Sequence, residues 1–514
     1  MIKASVSQVC LPKNRLGLMG LWFATFMVLA TSATAVLEVA AQTRDQAELR
    51  MAIDAAIAEA GMPNAWFTVN VKHLETGQAW YQKDTGRSFI PASNTKIYTT
   101  AAALDMLGAD FRYETSVWTD GNVQGQTLMG NLIVKGSGDP VIGGRFNGGD
   151  ITELFRQWAD SLSSRGILSI QGDIIGDDNA FDDQALGYGW QWDDLDFWYA
   201  AETSALSLND NCIDFALVAQ TKNMPASMKW EPMMTTYIQA QNASLTVGQE
   251  ASIREGYSRD LKENTFVLSS QVPEGRTDFE SLAVHNPTKY FVHVLREVLL
   301  QKGISISGKA IDIDELPILP QFEDGFLFST FSPALKDIVK VLNKQSQNLY
   351  AEQLLKTLAV ERPVAGYAKG SAAMGLASAR PMLARAGVDT LHIQLVDGSG
   401  LARQNLVTSE MTTQLLSYMA HHPDEQIRAA FFDSLPIGGV DGTLASRMKG
   451  TAAENNVRAK TGTVGNASAL SGYVTTASGT PLVFSMMSNH FTESSRGPRN
   501  LQDRIMAILA DHKQ

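Results

Sequence analysis

Cysteine is nearly absent: Cys10 and Cys212 are the only two in 514 residues, too few for a disulfide framework or a Cys-rich zinc site. Histidine is scarce as well, eight in all. There is no H-E-x-x-H, and the one adjacent pair, His421-His422, points its side chains to opposite sides of most elements. No G-x-x-x-x-G-K-[ST] phosphate loop and no G-x-S-x-G elbow occur. Basic excess is also missing. The 42 Lys and Arg stand against 54 Asp and Glu, a net charge of −12, the wrong sign for a protein that lives on phosphate backbone. No nucleic-acid partner is expected. The chain has no repeat at a fixed period and no low-complexity tract. Beyond the first forty or so residues, no apolar stretch reaches the roughly 20 residues of a membrane span. With 44% hydrophobic and 19% charged residues, extended disorder, a collagen-like repeat and a coiled coil are excluded. What is left is a large enzyme-sized chain, long enough for a sizeable core without staples.

The N-terminus reads as an address. Lys3, Lys13 and Arg15 precede an uncharged apolar run over 16–30. Small residues follow, with Ala33-Thr34-Ala35 or Val39-Ala40-Ala41 as cleavage sites. A basic start, a short apolar stretch and a small-x-small exit make a secretory signal peptide, taken as residues 1–41. An uncleaved anchor is the alternative. Cys10 lies before the run, so it is no lipoprotein acceptor and leaves with the peptide. Cys212 then remains as a buried small hydrophobe. The mature protein is expected to be exported and soluble.

Periodicity divides the rest. Apolar Leu49, Ile53, Ala56 and Ile57 predict a helix over 46–60. Alternation predicts strands over 65–71 and 78–82, turned at Glu75-Thr76-Gly77. A helix whose start is marked by Pro91 and Ser93 comes next. Between about 113 and 328 the texture changes to short strand-like runs punctuated by Gly, Asp and Asn, with Trp190, Trp192 and Trp198 crowded together. One helix, 286–303, stands out there. Helices return from Ser332, apolar strands over 467–475 and 481–489 form a hairpin, and 501–510 closes as a helix. The fold expected is α/β: one domain, residues 42–114 and 329–514, split by a β-rich insertion over 115–328 of two subdomains. A sheet begun near Ala65 would be completed by the C-terminal hairpin.

Three short motifs carry chemistry. Ser93-Asn94-Thr95-Lys96 is S-x-x-K at a helix start, where positions i and i+3 share a face and the amine reaches the hydroxyl. Serine is inert at neutral pH without a base, and lysine serves as one only if burial or a nearby cation lowers its pKa. Ser346-Gln347-Asn348 lies between two helices; its hydroxyl can relay a proton and its amide can hold a substrate carbonyl. Lys460-Thr461-Gly462 opens the terminal hairpin region and supplies a second cation, to depress Lys96 and hold an anionic substrate end. Gly462 is expected to let substrate backbone approach the strand edge. Singly these are weak, since Ser446-Arg447-Met448-Lys449 and Ser207-Leu208-Asn209 repeat two of them. The ordered set is strong. Asp177-Asp178 and Asp182-Asp183 read as solvated loops rather than a cation site, and Asp397 as a turn-former.

The set, with PASNTKIYTTAAAL, GSGDP (136–140), SPALKDIVKVLNKQSQNLYAEQLLK, DGSGLARQN (397–405), LPIGGVDGTLASRM (435–448) and AKTGTVGNASALSGY (459–473), resembles the D-alanyl-D-alanine carboxypeptidase/endopeptidase family. These are the low-molecular-mass class C penicillin-binding proteins, similar to penicillin-binding protein 4. The 250 residues from Lys96 to Ser346 fit that family's large insertion. The resemblance implies a serine β-lactamase/penicillin-binding-protein transpeptidase-like domain, an antiparallel sheet flanked by helices. It implies Ser93 as acylated nucleophile, Lys96 as its base, and Ser346 and Asn348 assisting proton transfer and binding the acyl-side amide. Lys460 would anchor the terminal carboxylate beside the hydroxyls of Thr461 and Thr463, and the backbone N–H groups of Ser93 and Thr463 would form the oxyanion hole. The expected substrates are peptidoglycan stem peptides and cross-links, with β-lactams as covalent inhibitors, no metal or organic cofactor, and a periplasmic location. The rival expectations are a β-lactamase and a non-hydrolytic wall-binding or β-lactam-sensing module. The insertion yields no residue assignable to catalysis, and SALSLNDN (204–211) reads as a loop satisfying its own backbone.

Overall fold

In the computed structural model, residues 46–364 and 369–513 are described; the expected signal peptide lies outside them. The central sheet has five antiparallel strands in the order Ala79–Lys83, Trp66–His73, Pro481–Asn489, Ala467–Thr475, Arg458–Val464. Two strands from the start of the chain thus pair with three from its end. The last hairpin has the expected bounds. Pro481–Asn489 is buried on both faces beyond its first residue, and such strands read as continuous apolar runs rather than alternating ones. Leu482, Phe484 and Met486 pack with Leu49 and Ile53 of the helix over 46–58 and with Ile505 and Leu509 of the helix Arg496–Asp511. Val483 and Met487 face the other way, against Ile97, Ala101 and Leu104 of the helix Thr95–Leu107 and against the helices behind it.

The last helix begins at Arg496, a turn and more before the expected Leu501. Gly497-Pro498 lie in its first turn, where proline is tolerated because its missing N–H would have no intrahelical partner.

The inserted region is β-rich, with helices of its own. Glu114–Thr119, at its start, pairs with Phe326–Phe331 at its end, Glu114 opposite Phe331, so the chain leaves and re-enters side by side. These strands extend a mixed sheet ordered Ala310–Asp312, Ile174–Asp177, Leu132–Lys135, Glu114–Thr119, Phe326–Phe331. The strand-like stretch over 128–136 is two strands, Thr127–Met129 and Leu132–Lys135, in different sheets, because Gly130-Asn131 breaks it. Helix Pro287–Gln301 matches expectation, capped by Asn286, whose Oδ1 accepts from Lys289 N at 2.8 Å. Helix Glu153–Ser164 was not anticipated; it buries Phe155, Trp158 and Leu162 against Phe291. Cys212 is a free, buried thiol.

The insertion reaches back to the helices it interrupts. Gln353 Nε2 donates to Ser204 O at 2.9 Å, and Lys356 pairs with Asp182 at 2.7 Å. In SALSLNDN, Asn211 Oδ1 accepts from Leu208 N at 3.2 Å while its Nδ2 donates to Glu202 O at 2.8 Å. That loop does satisfy its own backbone.

Candidate active site

Ser93 sits in a single 3-10 turn, Ala92–Asn94, that feeds the helix Thr95–Leu107. Ala92 has φ of 47°, a left-handed conformation that costs a non-glycine residue free energy and recurs where a side chain is held for function. Lys96 falls one helical turn on, wholly buried. Its Nζ lies 2.9 Å from Ser93 Oγ, 2.6 Å from Asn348 Oδ1 and 2.7 Å from the Ser399 carbonyl. Burial pulls the Lys96 amine down from its usual range to about 7, against the opposing pull of Asp397 and Glu352.

Ser346 closes the helix Leu335–Gln345 in a left-handed conformation, and Asn348 starts the next, Asn348–Glu361. That break turns both side chains inward. Asn348 Nδ2 donates to Tyr199 O at 2.6 Å, so the inserted region holds the amide that holds Lys96. Lys460 comes from the edge strand Arg458–Val464; its Nζ donates to Ser346 Oγ at 2.8 Å and to Thr461 O at 3.0 Å. Burial and the charge of Lys96 lower the Lys460 amine well below its usual range.

The motif residues therefore converge on one cluster, although 252 positions of sequence separate Lys96 from Asn348. Two expected geometries change. Lys460 does not present its ammonium to the cleft: it is wholly buried, behind Ser346. The exposed cations there are Arg496 and Arg499, and Arg499 donates to Thr463 Oγ1 at 3.3 Å. Gly462 also has an unexpected neighbour. A Cβ on it would meet Pro91 O at 2.6 Å and Ser93 N at 3.1 Å, so glycine here admits the turn carrying Ser93. Gly462→Ala is expected to displace that turn and to lower acylation by about 100-fold, the size of effect an ångström of misplacement produces. The second-order rate of labelling by a fluorescent penicillin would measure it; an unchanged rate would contradict the packing.

These groups open onto a cleft of about 1040 Å³ lined by Ser93, Ser346, Asn348, Thr461 and Thr463 on one side and by Gln191, Asp194, Trp198 and Tyr199 of the insertion on the other. Lys449 of the second S-x-x-K is exposed, and Asn209 of the second S-x-N donates to Asp214 Oδ2 at 2.9 Å. Among the described residues one acidic trio, Asp178, Asp312 and Asp314, stands close enough to share an ion; Asp182 and Asp183 are paired with Lys356 and Lys369. Glu352, Ser399, Tyr199 and Arg499 also belong to the site, and no motif marks them. Glu352 and Ser399 fall inside quoted stretches, but no side-chain pattern marks a residue that acts through its carbonyl or through another loop.

A buried lysine paired to a serine at a helix start, with a second lysine on the facing strand edge, on this antiparallel sheet, defines an active-site-serine enzyme of the penicillin-recognising class. The chain belongs to the D-Ala-D-Ala carboxypeptidase 3 (S13) family, whose model matches residues 49–512, and is a serine-type D-Ala-D-Ala carboxypeptidase. It is 32% identical over 478 residues to the D-alanyl-D-alanine carboxypeptidase of Actinomadura sp. (strain R39), covering 90% of this chain and 85% of that one. Against the D-alanyl-D-alanine carboxypeptidase DacB of Haemophilus influenzae it is 29% identical over 435 residues, 82% of this chain and 85% of the other. The crystal structure of penicillin binding protein 4 (dacB) from Haemophilus influenzae superposes with a TM-score of 0.74 at 25% identity, covering 88% of this chain and 97% of that one.

Proposed function

We propose that the protein acts on peptidoglycan, releasing the terminal D-Ala of stem peptides and cutting D-Ala-linked cross-bridges through one acyl-enzyme on Ser93. Penicillins would acylate the same oxygen. The observation that carries the reading is a Lys96 amine drawn to about 7 and seated 2.9 Å from the Ser93 hydroxyl. At neutral pH about half of such lysines are unprotonated.

In acylation, neutral Lys96 takes the Ser93 proton as Oγ bonds to the carbonyl carbon of the penultimate D-Ala. The Ser93 and Thr463 N–H groups receive the oxyanion; one such donor typically contributes around 3 kcal/mol to the transition state. Collapse breaks the C–N bond. The proton passes from Lys96 through the Ser346 hydroxyl to the leaving amine, and Lys460, bonded to that hydroxyl, polarises it. A water then attacks the ester with Lys96 again as base, restoring Ser93 and releasing the shortened peptide. The substrate's terminal carboxylate is received by Arg499 and the Thr461 and Thr463 hydroxyls, which line the open cleft. The basic, apolar, small-residue order of the first 41 residues supports export and a periplasmic location, where this substrate would be met.

The test is mass spectrometry of a purified stem pentapeptide and a cross-linked muropeptide dimer after incubation with the chain from residue 42 onward. Loss of one D-Ala from the first and splitting of the second are expected. Neither product, from a folded protein, would contradict the reading.

A further inference from the structure

The stretch Asp397-Gly398-Ser399-Gly400 has no role in the acyl-transfer steps above, yet it sends a backbone carbonyl to the catalytic amine. A neutral amine has two N–H donors and one lone pair. Around Lys96 Nζ stand three oxygens: Asn348 Oδ1 at 2.6 Å, Ser399 O at 2.7 Å and Ser93 Oγ at 2.9 Å. Asn348 Oδ1 and the Ser399 carbonyl can only accept from it. When both N–H bonds are given to them, the lone pair is left facing the Ser93 hydroxyl, the arrangement a general base requires. Whatever fixes the Ser399 carbonyl therefore aims the base.

Glu352 fixes it. This side chain, one helical turn beyond Asn348, is buried. Its Oε1 accepts from Ser399 N at 2.8 Å and from Gly398 N at 3.1 Å, and its Oε2 lies 3.0 Å from Gly398 N. On the far side of the loop Thr99 Oγ1 donates to Gly398 O at 2.7 Å. Asp397 folds the loop on itself, accepting from Gly400 N at 2.8 Å and Ala402 N at 2.7 Å, and takes Trp190 Nε1 of the insertion at 3.1 Å. Gly400, at φ of 84°, would place a Cβ 1.9 Å from Ala92 O, so the loop lies directly on the serine turn.

We propose that Glu352 is a positioning residue for acyl transfer: it grips the Gly398–Ser399 backbone, aims the Ser399 carbonyl and hence the Lys96 lone pair, and supplies buried negative charge facing that lysine. The inference rests on Ser93 and Lys96 acting as nucleophile and base. Every ionisable group facing Lys96 enters the charge argument. Asp397 and Glu352 favour the charged amine, the charge of Lys96 in turn disfavours that of Lys460, and Ser93, Asn348 and Ser399 are neutral. Burial and then Asp397 push the Glu352 carboxyl up, whereas the N–H donors of Gly398 and Ser399 favour its ionised form.

The experiment follows the rate of acylation by a fluorescent penicillin from pH 5 to 10. In Glu352→Gln an acceptor oxygen becomes an amide facing an N–H and one negative charge is lost. The plateau rate is expected to fall about 10- to 100-fold, and the midpoint of the acid limb to move at least about half a pH unit lower. Glu352→Asp keeps the charge and retracts it from the loop, so its plateau falls with the midpoint in place. A residue that only supports the fold would not separate the two readouts. If Glu352→Gln does not fold, Thr99→Val loosens the same loop from its other side, and a several-fold lower plateau with an unmoved midpoint is expected. A folded Glu352→Gln with the wild-type midpoint, or Thr99→Val with the wild-type rate, overturns the proposal. Acylation needs no wall peptide, so a protein that binds penicillin and cleaves no muropeptide would sink the substrate reading and leave this one intact.

Discussion

Ser93→Ala is expected to lower release of D-Ala from a stem pentapeptide by at least about 10⁴-fold, with substrate affinity changed little. Removing the nucleophile from a serine enzyme leaves only the catalysis due to binding and oxyanion stabilisation. The two other serines nearest Lys96 have partners of their own. The Ser346 hydroxyl accepts from Lys460, and the Ser399 hydroxyl accepts from Leu401 N within its own loop at 3.3 Å. Alanine keeps the 3-10 turn, so the melting temperature should stay close to that of the parent. Steady-state release of D-Ala measures the loss. A variant that retains more than about a hundredth of the parent rate would mean that another group attacks the peptide.

Lys96→Met carries the second largest effect. It replaces the amine with a side chain of similar length and no proton affinity, and acylation should fall by about 10³- to 10⁴-fold, the upper part of the range for a general base. The parent's pH profile gives the sign. Lys96 could act as the proposed base only when neutral, and burial places its transition at about 7. The logarithm of kcat/KM should therefore be flat above that value and fall about one unit per pH unit below it. In Lys96→Met this limb disappears. A variant that kept a limb centred near 7 would assign the titration to a different group, and Glu352 would be the first to examine, since its carboxyl is also displaced upward.

The parts of this site legible in the sequence are those whose chemistry is local. Ser93 and Lys96 are one helical turn apart, and helical spacing alone brings amine to hydroxyl. The hairpin strands Ala467–Thr475 and Pro481–Asn489 were readable because a buried strand between two layers is a continuous apolar run bounded by turn residues. What was not legible depends on contacts across the chain. Nothing local to Lys460 shows that its ammonium is wholly buried, because the groups that bury it come from the Ser346 turn 114 positions away. Gly462 was expected to meet substrate; its neighbour is the serine turn, a fact of how helix and sheet dock. Tyr199 is 149 positions from the Asn348 it holds, and it acts through a backbone carbonyl, which every residue has. Glu352 looks like an ordinary helix-forming residue, and only burial against the Gly398–Ser399 backbone marks it. The helix start at Arg496 was obscured by Gly497-Pro498, residues that break helices everywhere except in a first turn.

The claim on which the rest depends is that Ser93 becomes the acyl-enzyme, and one measurement addresses it directly. The chain from residue 42 onward is incubated with penicillin, quenched in acid, digested, and its peptides sequenced by tandem mass spectrometry. A single penicilloyl adduct on the Ser93 oxygen is expected, present in the parent and absent from Ser93→Ala. An adduct on Ser346, Ser399 or any other residue, or no adduct at all on a folded protein, would contradict it.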